Sequence, residues 1–527
     1  MRNFSSPGRS TVIASNGMCA TSHPLAAKVA VQMLERGGNA VDAAIAAAMV
    51  LNIAEPQMTG LGGDCFVLVK PAGSEEIIGL NGSGRAPTAL DADAIRTAGH
   101  SVMPAHGVEA VTVPGAVDAM LKLSKDFGKM GLKETLAPAI HYAQQGIPIG
   151  ARTAFDYQNS AQFLKGVAKD TYLLNGEIPT EGQVFRAPQQ SEVLRRIAME
   201  GRAGFYEGEV AEDMVNSLNA LGGCHTLDDF AATECTYVEP ISGTYRGMEL
   251  VELPPNGQGA TAILLGNILE QFDVALMEPF GVARTHLEAE ATKLAYDARN
   301  RFIADPTDQD VRLAHMLSDE TAQQLAALID IDRAMESPAA LSETVHKETV
   351  YLTVVDSDRM AVSLIYSIFN SFGTGLASDK FGLLFQNRGS GFTLQRGHPN
   401  EAGGGKRPMH TIIPAMLKKD GKVIMPFGVM GGQYQSTGHM RMVSNIVDFG
   451  MSPQESMDTP RSFADASGLA VENWYSAETQ AGLQALGHKV NVLDKPLGGA
   501  QAILIDEVNG VLRGASDPRK DGCAIGY

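Results

Sequence analysis

Cysteine is scarce in this chain. Only Cys19, Cys65, Cys224, Cys235 and Cys523 occur in 527 residues, an odd number at wide spacing. Such a set excludes a disulfide framework and a zinc–thiolate cluster and reads as reduced thiols. A basic tract is missing too: 42 Lys and Arg stand against 60 Asp and Glu, and the formal charge of -18 leaves no footprint for a nucleic acid. Long apolar runs are also missing. The opening MRNFSSPGRS is polar, and TVIAS after it is shorter than the run of about 7 to 15 residues that a signal peptide needs. The most apolar early stretch, 40 to 54, contains Asp42 and Asn52, which predicts a buried helix rather than a membrane span. The expectation is a cytoplasmic protein with neither a membrane nor a nucleic-acid partner. No internal repeat occurs, and His286, His410 and His439 lie on separate segments without compact ligand spacing, so no metal is expected.

What is present is a globular composition, 44% hydrophobic, long enough for one large core or two ordinary ones. LAAKVAVQMLERGG after Pro24 has apolar positions at helical spacing, and Asn39 is placed to cap the alanine-rich helix that follows. Strands are predicted at 65–69, in EEIIGL and at 246–252, and residues 114–200 read as mostly helical. ATAILLGNILEQF and THLEAEATKLAYDARNRF read as helices, with the same character continuing to about Met335. After the polar linker ESPAALSETVHKE the pattern changes. TVYLTVV and MAVSLIYSIF are rich in β-branched and aromatic residues and are joined by the turn DSDR. Further strands are predicted at GLLFQ, TIIPAML, VIMPFGV, VNVLD and QAILIDE. The class is α+β.

At this junction the chain resembles the gamma-glutamyltransferase family of N-terminal-nucleophile hydrolases. The segments that carry the resemblance are GGNAVDAAIA, TVPG at 112–115, ETVYLTVVDSDRMAVSLIYS, NSFGTG at 370–375, GKRPMHTIIPAM at 405–416, GVMGGQ and GASDPRKDG. Each alone is common, and their order and spacing over almost the whole chain make the match. The resemblance implies a four-layer αββα sandwich. It also implies a precursor that cuts itself between Glu348 and Thr349 into a large fragment, 1–348, and a small one, 349–527. The two fragments would stay together as a heterodimer, and a higher homo-oligomer is left open.

Under this reading Thr349 carries a hydroxyl and, after the cut, a free α-amine, so one residue supplies nucleophile and base. A reference pKa of about 8 suits the amine to that work near neutral pH. Both the self-cleavage and the hydrolysis build an oxyanion, for which the resemblance assigns the N–H groups of Gly431 and Gly432. Thr353 and Ser367 match hydroxyl positions near the nucleophile, and period-two spacing puts Thr349 and Thr353 on one strand face. His410 and Thr411 fall where relatives place two adjacent hydroxyl residues at the substrate pocket. No cofactor is required; water is the second substrate.

Three positions depart from the family pattern. Ser83 stands where relatives hold the substrate α-carboxylate with arginine, Arg85 being two residues on. Phe369 stands where they use asparagine, with Asn370 the nearest amide. No carboxylate occurs between Phe385 and Leu394, where an acidic residue would bind the substrate α-ammonium. The expectation is therefore an amidohydrolase of a small carboxylate-bearing amide, with Arg85, Arg388 and Arg407 as candidate carboxylate partners. The segments are similar to the branch containing oxamate amidohydrolase, which implies oxamate cleaved to oxalate and ammonia. The alternatives are a gamma-glutamyl hydrolase or transferase acting on glutathione, and a noncatalytic binding protein that keeps the fold.

Overall fold

The computed structural model describes residues 8–307, 311–335 and 349–527; the predicted linker at 336–348 lies outside the described residues. The chain builds two seven-stranded sheets, antiparallel throughout. From edge to edge, the first runs Cys523–Gly526, Met18–Thr21, Val350–Val355, Ala361–Ser367, Asp64–Lys70, Ile78–Gly82 and Thr236–Val238. The second runs Val12–Ala14, Val511–Ser516, Gly499–Asp506, Lys422–Met430, Ala415–Lys419, Met248–Glu252 and Ile241–Tyr245. Residues 8–335 and 349–527 thus contribute strands to both sheets.

Strand parity fixes the layers, because successive side chains point to opposite faces. Val350, Leu352 and Val354 pack with the helices Pro24–Glu35 and Ala40–Ala54, whereas Tyr351 and Val355 join Met416, Met430 and Ile503 between the sheets. On the far side, Ala415, Phe427 and Val429 pack with the helices Gly259–Leu269, Val282–Phe302 and Gln435–Val447. Helices, sheet, sheet, helices is the αββα sandwich expected from the sequence. Every residue of the helix Ala40–Ala54 is buried, and its Asn39 cap forms a reciprocal capping box with Asp42. None of the helices among the described residues is long and apolar enough to cross a membrane.

Several predicted elements are corrected. GLLFQ is not a strand: Leu384 makes one isolated bridge to Ala377, and Phe385 and Gln386 bond to the loops at Leu376 and Gly62. Its apolar character reflects burial of a loop in the helical layer, where Leu383, Leu384 and Phe385 join the core. TIIPAML pairs only from Ala415, since Pro414 has no N–H for the ladder. The strand predicted at 246–252 begins at Met248 as one arm of a hairpin that turns at Arg246, whose φ is +49°. The helical stretch predicted from 313 to 335 shortens to Leu313–Met316 and Asp319–Ala326.

Candidate active site

Thr349 directly precedes the strand Val350–Val355 and is 2% exposed. It lines a cavity of about 290 Å³ together with Asn370, Met430, Gly431, Lys495 and Lys520. One wall comes from the helix Ala151–Ser160, through Arg152, Phe155 and Asp156. Parity places Thr349 on the face that looks at the second sheet, the face that also carries Tyr351 and Thr353. Thr353 lies deeper and is fully buried, its hydroxyl donating to the Val362 carbonyl at 2.9 Å. Glu348 lies outside the described residues.

The paired glycines form the turn between the strand Lys422–Met430 and the helix Gln435–Val447. Gly431 has φ +121°, and a Cβ there would sit 2.9 Å from the Gly498 Cα, so a side chain is excluded by both conformation and space. Gly432 opens a short 3-10 turn, where the first N–H groups have no acceptor within the turn. The side-chain amide of Gln258 donates to the carbonyls of Gly432 (3.0 Å) and Thr411 (2.6 Å), and Arg299 donates to Gln258 in turn at 3.0 Å. The glycine turn is therefore braced from behind by the helix Val282–Phe302. Burial pulls the Arg299 guanidinium down to about 10, where it remains a cation at neutral pH.

The GASDPRKDG segment supplies the opposite wall. Arg519 bonds Glu472 and Asp517, and Arg461 also pairs with Asp517, in a buried ion network beneath the loop. Asp521 accepts the Arg152 N–H at 2.9 Å and so holds the first turn of the cavity helix. Gly522 is required because a Cβ would lie 1.8 Å from the Thr21 carbonyl oxygen. Between Arg519 and Asp521, Lys520, 4% exposed, lines the cavity; among the described residues its ammonium makes no hydrogen bond or ion pair within 4 Å, and its charge opposes the rise that burial causes at Glu55.

A second set of predicted residues forms a buried network that does not line this cavity. Asp64 is its hub: one oxygen accepts from Gly84 N (2.9 Å), Gly115 N (3.2 Å) and Gln386 Nε2 (2.9 Å), and the other accepts from His410 Nε2 at 3.0 Å. Burial alone would raise the Asp64 carboxyl, but the His410 hydrogen bond and the Arg388 charge hold it below the usual range. Burial, reinforced by Arg388, lowers His410 to about 3. His410 is thus neutral, with Nδ1 accepting from Ile412 N at 3.3 Å. Arg388 donates to Thr411 Oγ1 at 3.0 Å and to Ser367 Oγ at 3.4 Å, under the ring of Phe369. Desolvation lowers Arg388 to about 9, partly opposed by Asp64.

The remaining candidates do not line this cavity. Arg85 pairs with Asp305 at 3.0 Å. Arg407 braces the loop by donating to the Ser83 carbonyl (2.9 Å), Thr236 and Glu234. The Ser83 hydroxyl accepts from Asn256 at 3.1 Å. Of the residues named from the sequence, the structure brings Thr349, Asn370 and Gly431 to one cavity; Asp64, Gln258, Arg299 and Lys520 were not named as site residues. GASDPRKDG was visible as a motif and could have pointed to Lys520; the others sit in segments that read as plain strand, turn or helix. Among the described residues, the one grouping with metal-ligand proximity is His286, Glu290 and His488, and none of these lines the cavity.

The model of the gamma-glutamyltranspeptidase family matches residues 26–527. A glutathione hydrolase-like YwrD proenzyme of Bacillus subtilis is 35% identical over 98% of this chain and 99% of its own length. An oxamate amidohydrolase proenzyme of Klebsiella pneumoniae is 33% identical over 98% and 100%. Among solved structures, a cephalosporin acylase from Bacillus halodurans superposes with a TM-score of 0.92 at 38% identity, covering 100% of this chain and 99% of that one. The sandwich, the glycine turn and these full-length matches agree, and the chain belongs to the gamma-glutamyltranspeptidase family, as a hydrolase of amide carbon–nitrogen bonds made as a self-processing precursor.

Proposed function

We propose that Thr349 is the nucleophile of both reactions and that the acyl substrate is a small amide bearing a carboxylate, with oxamate the first candidate. The observation that carries this reading is the cavity itself, where Thr349, Gly431 and Lys520 share one space. In the precursor the Thr349 hydroxyl attacks the Glu348 carbonyl, the peptide nitrogen leaves as the α-amine of Thr349, and water hydrolyses the ester. The fragments 1–348 and 349–527 then share one sandwich, which keeps them associated. In turnover the amine takes the hydroxyl proton, the oxygen adds to the substrate carbonyl, and the N–H groups of Gly431 and Gly432 receive the oxyanion. Ammonia leaves, and water releases the acid.

Charge favours a carboxylate over an ammonium. Arg152, Lys495 and Lys520 line the cavity against one carboxylate, Asp156, and Arg152 already holds it at 2.8 Å. Lys520 replaces the three candidate arginines as carboxylate partner, since Arg85 and Arg407 are engaged elsewhere and Arg388 lies beneath Phe369. Asn370 takes the place of the amide lost at position 369: its Oδ1 is buried without a partner among the described residues. The test incubates purified protein separately with oxamate and glutathione, reading ammonia from the first and glutamate from the second. Ammonia release is expected. Rapid glutathione turnover without ammonia from oxamate would reverse the assignment to the gamma-glutamyl class.

A further inference from the structure

A buried polar group lies outside the cavity. His286, Glu290 and Lys293 lie at i, i+4 and i+7 on the helix Val282–Phe302, which puts them on one face. His488 meets them from the turn after the helix Ala477–Ala485. Their exposures are 1%, 0%, 8% and 6%. Four buried polar side chains on one patch need partners, and most of those partners are backbone atoms of 330–335.

His286 Nε2 donates to the Asp330 carbonyl at 2.8 Å. Its Nδ1 therefore accepts from His488 Nε2 at 2.7 Å. Glu290 accepts the Met335 N–H at 2.8 Å through one oxygen and the Lys293 ammonium at 2.7 Å through the other. Lys293 also donates to the Met335 carbonyl at 2.9 Å. Ala334 N adds a bond to the Leu486 carbonyl at 2.8 Å. The side chains of 330–333 are exposed, so the segment is held chiefly through its main chain, with the half-buried Met335 side chain packing against the core beside it. Burial keeps His488, at about 4, neutral and able to donate to His286.

Met335 is the last described residue before 336–348, and Thr349 follows those. The attacking hydroxyl and the attacked carbonyl sit on adjacent residues, so what a hold on 330–335 fixes is the point from which the chain runs to Glu348, and with it the orientations in which that bond can be presented to Thr349. We infer that His286, Glu290, Lys293 and His488 form a positioning clamp on residues 330–335 that sets the rate of self-cleavage at Thr349 without entering the chemistry of the mature enzyme. The inference rests on the assignment of the cut to 348/349. A divalent cation is the competing occupant of the same ligand set. Lys293 argues against it by already holding the Glu290 oxygen that a cation would use.

The test follows the precursor of the full chain by intact mass over time, for wild type, Lys293→Met, Glu290→Gln and Lys293→Arg. Thr349→Ala serves as the control for the cut itself. The clamp predicts that Lys293→Met and Glu290→Gln mature at least about tenfold more slowly. Once cut, they should show wild-type kcat and KM, and Lys293→Arg should recover part of the maturation rate. Folded variants that mature at the wild-type rate would overturn the clamp while leaving the cut intact, whereas a Thr349→Ala chain that still cuts would overturn the assignment beneath it. Equal losses in maturation and in kcat of the cut enzyme would reduce the group to general structure. If Lys293→Met fails to fold, Glu290→Asp, which keeps the charge and shortens the reach, decides by the same readout. A melting temperature raised by zinc in wild type and not in His488→Gln would overturn the clamp in favour of a metal centre.

Discussion

The Arg388 guanidinium lies 3.9 Å from the centroid of the Phe369 ring, and Phe369 reaches it with φ at +79°. That conformation is costly for a side chain with a bulky ring and persists where surrounding structure fixes it. The two neighbours divide between the sites: the Phe369 ring covers Arg388 inside the buried network, and Asn370 lines the cavity. Phe369→Leu keeps an apolar side chain and loses the cation–π face, so it should lower unfolding stability by about 1 to 3 kcal/mol. Urea melts of cleaved wild type and variant check this; an unchanged midpoint would show that the ring contact contributes nothing.

Lys520→Met keeps the length of the side chain and removes the charge. Loss of a charge-assisted hydrogen bond should lower kcat/KM for a carboxylate-bearing amide by about 10- to 100-fold, mostly through KM. Cleavage of the precursor should persist, because the Glu348 carbonyl is not held by this ammonium in the proposed scheme. Steady-state kinetics with oxamate, beside intact mass, separate the two effects; an unchanged KM would move carboxylate recognition to another residue.

Gly431→Ala places a Cβ 2.9 Å from the Gly498 backbone at a φ of +121°. The turn must shift, and with it the N–H groups assigned to the oxyanion. Hydrolysis and self-cleavage should both fall by about 100-fold or more. Circular dichroism of the variant establishes that the sandwich persists. Full activity in a folded Gly431→Ala chain would remove the glycine turn from the mechanism.

Acid should destabilise the protein. Burial is the largest cause lowering His23, His410 and His488, to about 4, 3 and 4. Each has a folded pKa below an unfolded value of about 6.5, so the unfolded chain binds more protons in between and stability is lost as pH falls through that window. Glu55 acts in the opposite sense: burial raises it to about 7, so its folded form binds the extra proton between its usual value and neutrality. Burial lowers His106 and His225 in the same sense and raises Glu252, Asp356 and Asp458 in the sense of Glu55, so five histidines stand against four carboxyls; the melting temperature should drop from pH 6.5 to pH 4.5, and Glu55→Gln should steepen the drop. A flat profile would contradict the buried neutral histidines.

Much of this was legible in the sequence, for identifiable reasons. The hairpin 350–367 combines β-branched alternation with an Asp-rich turn, and Asn39 precedes an alanine-rich helix, so local pattern and tertiary role agree. The edge strands Val12–Ala14 and Cys523–Gly526 were not, because three or four residues carry too little period to read. GLLFQ failed because a buried loop and a buried strand have the same composition. At the site, Thr349, Asn370 and Gly431 line one cavity, whereas Ser367, His410 and Thr411, named from the same resemblance, lie outside it; Asp64, Gln258 and Arg299 bond partners that are distant in sequence in some cases, such as His410 for Asp64. The grouping of His286 with His488 was hidden for the same reason.

Attack by Thr349 on its own preceding peptide bond divides the chain in two, and the mass of the purified protein reads that division. Wild type and Thr349→Ala are expressed in parallel and measured intact, with the N-terminus of any small fragment sequenced. Two wild-type fragments are expected, the smaller beginning at Thr349, and a single uncut Thr349→Ala chain without hydrolase activity. Cleavage of Thr349→Ala at the 348/349 bond would contradict it.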